Sequence, residues 1–146
     1  MPYLLAACDI YAAPSRLEGF GMPQVEAGAC GRPVIGLNAM AMRDTLVHGE
    51  TALLANVSTE VWVKEAIVGE DQGYDVPRRI VFENPRTAEF RASVFDLSEH
   101  LLALMKDRAL REKLGRAGRN RVCKNYDYRI VAKKFVAFIS DHLEVL

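Results

Sequence analysis

Two short apolar runs joined by a helix of small residues constrain this chain more than any other feature. Residues 10–13 (Ile-Tyr-Ala-Ala) stop at Pro14-Ser15, and residues 33–37 (Pro-Val-Ile-Gly-Leu) follow a glycine-containing loop and a helical stretch. Runs this short and this continuously apolar suit strands buried on both faces of a parallel sheet. Between them, Pro23 suits the first residue of a helix, where its missing N–H is not needed. The helix is expected over Pro23 to Cys30, with Gly31 closing it in a left-handed conformation and Pro33 preventing its continuation. Small residues from Ala27 to Cys30 let it lie close to a sheet. Two parallel strands joined by a helix make a βαβ unit.

The rest of the chain extends that frame and then departs from it. Residues 1–8 read as the last turns of a helix, and no Ser, Thr, Asp or Asn caps them. That suggests a chain beginning inside a larger protein. A short helix is expected at 41–47, a turn at His48-Gly49-Glu50-Thr51 and a third strand at Ala52–Ala55. Residues 57–95 break the rhythm. Glu60 to Val68 is ambiguous between helix and strand, Gly69 to Pro77 is turn-rich, and 79–82 and 90–95 look like strands. This stretch reads as a β-rich insertion. Two helices are expected to close the chain. Ser98 would cap the first, whose apolar face is Leu101, Leu102, Leu104, Met105, Leu110 and Leu114, with a turn near Lys106-Asp107. The second follows Asn125-Tyr126-Asp127 and carries Ile130, Val131, Phe135, Phe138, Ile139 and Leu143 at helical spacing.

Composition excludes several functions. The 146 residues hold 19 basic and 19 acidic side chains. Net charge therefore gives no support for binding nucleic acid through its phosphates. No apolar run approaches the ~18–20 residues of a membrane span. Cys8, Cys30 and Cys123 are odd in number and widely spaced, with no CxxC pair, as expected in a reducing cytoplasm.

The stretch that carries chemistry is Glu18-Gly19-Phe20-Gly21-Met22-Pro23-Gln24-Val25-Glu26. Two carboxylates flank a glycine loop that opens a helix. A helix N-terminus presents free N–H groups and a dipole that favours an anion. Gly19 and Gly21 have no β-carbons, so a ligand can come close to the backbone. A phosphate fits there. The carboxylates repel phosphate but accept hydrogen bonds from hydroxyls, which sugars and ribose supply in pairs. A nucleotide sugar satisfies all these features. Three other readings compete with it. One is a plain strand–turn–helix with two solvated glutamates. Another is a glycosidase acid/base pair, which would set one glutamate partly inside the anion-favouring helix end. The third is a dinucleotide fold, for which G-x-G-x-x-G is incomplete.

Residues 7–21, from Ala7-Cys8-Asp9-Ile10 through Pro14-Ser15-Arg16-Leu17-Glu18-Gly19-Phe20-Gly21, resemble the donor-domain motif of family 4 retaining glycosyltransferases. Glu18 and Glu26 match the E-x7-E pattern of that family. Cys30 to Gly36 resembles its next strand entry, and His48 to Leu54 its following turn and strand. The C-terminal helices, including Leu110-Arg111-Glu112-Lys113-Leu114-Gly115, are also similar. The match is strong over 3–55 and weaker over 96–140, and 57–95 has no counterpart. The resemblance implies an α/β fold, namely part of a Rossmann-like GT-B donor domain, with a parallel sheet and helices on its faces. The whole chain, 1–146, would be one partial nucleotide-sugar-binding domain with its core at 3–55 and 96–146.

The implied function is donor binding in an enzyme that transfers a sugar, with retention, from a nucleotide sugar to an unknown acceptor. Glu18 would be the catalytic residue facing the donor sugar. Gly19, Phe20, Gly21, Met22 and Pro23 would lie against the sugar and diphosphate, and Glu26 would bind the ribose. No metal or cofactor is expected, the nucleotide sugar being a substrate. The positive pair that the family sets on the diphosphate lies upstream of anything in this chain, and so does the acceptor domain, its expected partner. The chain alone is therefore expected to be inactive and, with its last apolar helix uncovered, to dimerise through 130–146, the insertion or both. The competing class is a stand-alone, non-catalytic binding or assembly module. Two departures stand out. Met40-Ala41 replaces the usual Gly-Gly beside the donor pocket, and Gly28 replaces a commonly larger helix residue.

The remaining candidates read as structural. His48 and Glu50 shape a turn, and His100 and His142 sit on helices without metal-like neighbours. Arg78-Arg79 and Arg116, Arg119 and Arg121 read as solvated faces, with lipid contact by a full-length enzyme as the alternative. Trp62 and Tyr74 are expected to pack, rather than to form a contact surface.

Overall fold

A computed structural model describes residues 2–69 and 75–143. In it the two apolar runs are neighbouring parallel strands. β1 (Tyr11–Ala12) pairs with β2 (Val34–Leu37), setting Tyr11 beside Val34, and β2 pairs with β3 (Ala52–Ala55), setting Val34 beside Ala52. The sheet order is β1-β2-β3. All four residues of β2 are buried, as a central strand covered on both faces requires.

Successive β2 side chains point to opposite faces and meet different helices. On one face Val34 packs with Leu5 of α1 (Pro2–Ala7), Ala27 of α2 (Met22–Ala29), Met42 of α3 (Met42–Thr45) and Leu46. On the other, Ile35 packs with Leu104 of α4 (Val94–Lys106) and Leu114 of α5 (Arg108–Asn125). The expected α/β architecture, a parallel sheet with helices on its faces, is therefore the one observed. Gly31 closes α2 with φ 71°, in the left-handed region.

The break in rhythm is a long antiparallel hairpin. β4 (Val57–Val68) pairs with β5 (Arg78–Ala92), from Val57 opposite Ala92 to Val68 opposite Arg78, with three register shifts between. The ambiguity at 60–68 thus resolves as strand, paired antiparallel with β5 from Glu60 opposite Phe90 to Val68 opposite Arg78. Of the expected strand at 90–95, only residues 90–92 are strand. Val94 and Phe95 open α4, because the Ser93 hydroxyl accepts a hydrogen bond from the Asp96 N–H at 3.1 Å and so caps the helix. Ser98 is not the cap; its hydroxyl bonds the Phe95 carbonyl within the helix at 2.7 Å. Trp62, expected to pack, is 56% exposed on the hairpin, and Tyr74 lies outside the described residues.

The closing segment has three helices, because Asp107 ends α4 and caps α5 by accepting from the Leu110 N–H at 2.9 Å. Leu104 and Leu114 of the expected apolar face are fully buried, whereas Leu102 and Met105 point outward. α6 (Tyr128–Leu143) buries none of its residues: Phe135 is 63% and Phe138 60% exposed. No described helix is long and apolar enough to cross a membrane.

Candidate functional site

The loop carrying Glu18 lies beyond the carboxyl end of β1, where open α/β sheets bind ligands, whereas Glu26 lies one turn inside α2 and lines a cavity with α1 residues Pro2, Tyr3, Leu5 and Ala6. β1 ends at Ala12, and the chain turns through Pro14-Ser15 into the loop carrying Glu18. Gly21 then starts α2 with φ 85°, a backbone angle that favours glycine. A β-carbon there would also stand 2.5 Å from the Met42 side-chain methyl. At Gly19, by contrast, a β-carbon would meet nothing within 4 Å, so that part of the loop is open. No side chain caps α2, and Pro23 in its first turn has no N–H to satisfy. The entrance of α2 therefore retains unpaired donors and the positive end of the helix dipole.

Glu18 and Glu26 both lie near the Tyr11 phenol, which holds its proton more tightly than usual. Burial is the main cause, followed by the neighbouring acidic groups Glu26, Cys8 and Glu18. One strand residue thus senses both carboxylates. The Glu18 carboxylate accepts the Phe20 N–H at 3.5 Å, a long contact that leaves most of its acceptor capacity unused. Phe20 meets Tyr126 edge-on, with ring centroids 5.6 Å apart, and the Tyr126 hydroxyl donates to the Asp44 carbonyl at 3.2 Å. The loop is thereby tied to the C-terminal helices. Met22 is more than half exposed beside it.

Two residues that sequence patterning passed over support this loop. Tyr11 looks like one more residue of a buried strand. Gln24 looks like a helix residue, yet it is buried, and its side-chain amide donates to the Ala13 carbonyl at 3.1 Å and to the Ser15 hydroxyl at 3.2 Å. These bonds fasten the end of β1 to the first turn of α2. The only available signal was a glutamine on the face of α2 that carries buried Val25 and Ala27.

The hairpin also reaches the site. The Phe90 N–H donates to the Arg16 carbonyl at 2.8 Å, and the Arg16 guanidinium pairs with Glu89 at 3.2 Å. Glu89 in turn accepts from Arg91 at 2.9 Å, and these two cations, Arg91 first, hold its carboxyl below the ordinary range. His48 plays the structural part expected of it: Nδ1 accepts the Leu54 N–H at 2.9 Å. His100 Nε2 lies 3.2 Å from the Leu54 carbonyl, on the same strand.

Residues 1–69 match the family described as Glycosyl transferases group 1. That segment is similar to group 1 glycosyltransferases. The chain is 38% identical over 89 residues to the D-inositol 3-phosphate glycosyltransferase of Rhodococcus jostii, covering 57% of this chain and 18% of that protein. Its fold is shared with the sucrose-phosphate synthase of Thermosynechococcus elongatus, at a TM-score of 0.68 and 21% identity, covering 98% of this chain and 27% of that one. It is shared equally with Anabaena HepE, solved in complex with UDP, at a TM-score of 0.67 and 20% identity, covering 97% and 30%. The matched segment thus sits in a GT-B-type fold shared with these structures, and the chain spans less than a third of each of these three proteins.

Proposed function

We propose that this chain is the donor-binding part of a retaining glycosyltransferase and that its ligand is a nucleotide sugar. The observation that carries the reading is Glu18 on the loop before the uncapped entrance of α2 with Glu26 one turn inside that helix, both within electrostatic reach of Tyr11. The diphosphate lies at that entrance, against the backbone of Gly19 to Pro23. Glu26 accepts hydrogen bonds from the ribose hydroxyls, and Glu18 faces the reacting sugar. The UDP held by HepE, a protein of the same fold, supports a nucleotide as the ligand. No metal enters this reading. Three free cysteines, one of them exposed, support a reducing compartment such as the cytoplasm.

Calorimetric titration with UDP, GDP and their hexose conjugates tests the reading. Glu26→Ala should weaken nucleotide binding by about 1–3 kcal/mol, through lost hydrogen bonds to a charged acceptor. In a protein that completes the cleft with an acceptor domain, Glu18→Ala should lower turnover more than nucleotide affinity. Nucleotide binding that is unchanged in Glu26→Ala would remove the ribose assignment.

A further inference from the structure

Beyond the nucleotide site, a second cleft of about 360 Å³ opens between the root of the hairpin and the loop after β2, lined by Ala39, Met40, Arg43, Val57, Glu60 and Phe90. Its size falls within the range of small-molecule sites. We infer that this cleft binds a sugar ring, with the β4–β5 hairpin as its outer wall. The inference builds on the glycosyl-transfer reading above but concerns different residues.

The lining pairs apolar surface with opposed polar groups. Phe90, Val57, Ala39 and Met40 offer surface for the C–H face of a pyranose, Glu60 supplies an acceptor for its hydroxyls, and Arg43 supplies donors. Both charged groups have capacity to spare. The Glu60 carboxylate has one long contact, from the Thr87 hydroxyl at 3.5 Å. Arg43 is clamped through Nε and Nη2 to the Asn38 carbonyl and side chain, at 2.8–3.2 Å, while Nη1 has no partner among the described residues. The two do not form an ion pair with each other, so the cleft between them is not closed by its own charges.

The cleft is also held in shape from behind. Asn38 donates to the Asn56 side chain at 3.1 Å, and Asn56 donates through its backbone and side chain to Asp96, each at 2.8 Å. This chain of bonds runs from Arg43 to the first turn of α4 and fixes the hairpin root. Met40 is the only described non-glycine residue with positive φ, 50°. Such backbone angles cost energy and collect at ligand sites. Through the Phe90–Arg16 bond, the wall of this cleft is also joined to the loop that carries Glu18.

A free sugar acceptor and the sugar of a bound donor share this chemistry, and one experiment separates them. The Met40 methyl resonance is followed in this chain while methyl hexosides, UDP or UDP-glucose are added. A shift with a free hexoside, weakened about tenfold by Glu60→Gln and unaffected by Glu26→Ala, supports the cleft as an acceptor-sugar site. A shift with UDP-glucose but not with UDP, reduced by Glu60→Gln, supports it as a donor-sugar site. Glu60 is exposed, so its amide variant keeps the fold, and Phe90→Leu provides an independent second variant. A Met40 signal that moves with neither hexosides nor UDP-glucose overturns the inference, even if UDP binds at Glu26. Hexoside binding without any nucleotide binding leaves the cleft standing and removes the nucleotide reading instead.

Discussion

Gly115 lies where two backbones nearly touch: a β-carbon on it would stand 2.1 Å from the Gly31 carbonyl oxygen. That oxygen belongs to the left-handed turn ending α2, so it cannot swing away as a side chain would. Nearby, Gly28 of α2 faces Val122 and Gly118 of α5, and these small residues let the two helices lie in close contact. Gly115→Ala should therefore destabilise the fold by about 1–3 kcal/mol through overpacking, read as a lower midpoint in urea unfolding. At this scale the placement of the two glutamates, Glu18 on the loop and Glu26 in the helix, was legible in the sequence, because Pro23 and the glycines mark where that helix begins. Tyr11 and Gln24 were not. Their roles exist only once β1, the loop and α2 meet in space, and a tyrosine in an apolar run carries no mark that two carboxylates will lie beside it.

Among the elements, the βαβ unit was legible because apolar runs, Pro23, Gly31 and Pro33 all point to it. The hairpin was legible only in outline. Its strands are mostly exposed, with Ile67 78% and Val81 68% open, so no alternation of buried and exposed residues marked β4 as a strand. Two-stranded ribbons are marginal alone in water, and this one depends on its root. There the Asn56 backbone N–H, assisted by Ser93 and the Asn56 side chain, holds the Asp96 carboxyl below its ordinary range. Arg91, with Arg16, does the same for Glu89. A carboxyl with a depressed folded-state pKa stabilises above its unfolded value, and that contribution is lost as pH falls through the folded one. The root should thus loosen below about pH 4. The single tryptophan, Trp62, reports it. Its fluorescence should change at a higher pH than the helical circular dichroism signal, and Asp96→Asn should shift the Trp62 signal already at neutral pH. Coincident transitions of the two signals would contradict a root held by these carboxylates.

Across the whole molecule, α6 carries Val131, Phe135, Val136, Phe138 and Leu143 with none of them buried, and so it does not fold back onto the sheet. Residues 144–146, the end of the segment expected to form the interface, lie outside the described residues. Apolar patches of this kind are uncommon on monomers, and the simplest cover is a second copy related by a two-fold axis. Light scattering over a concentration series should give a mass approaching twice 16.3 kDa, and Phe135→Lys with Phe138→Lys should return it to that of one chain. A mass that never rises would rule out the dimer. The sequence announced the apolar stripe through its helical spacing, but spacing alone cannot say whether such a stripe meets the chain's own sheet or something else.

The hairpin leaves the core and returns to it at one rung, Val57 beside Ala92, with the Ser93 N–H bonded to the Asn56 carbonyl just below at 2.8 Å. From the side of β3 and α4, the described part of the hairpin is a plug in a two-wire socket, with Arg16 as a side clip at Phe90 and Glu89. Its length can grow or shrink by whole rungs without asking β3 or α4 to move. A lineage could retune what the neighbouring cleft admits by lengthening, trimming or exchanging this one cassette. A protein engineer has in it a ready port for grafting a foreign ribbon onto the rim of this α/β fold.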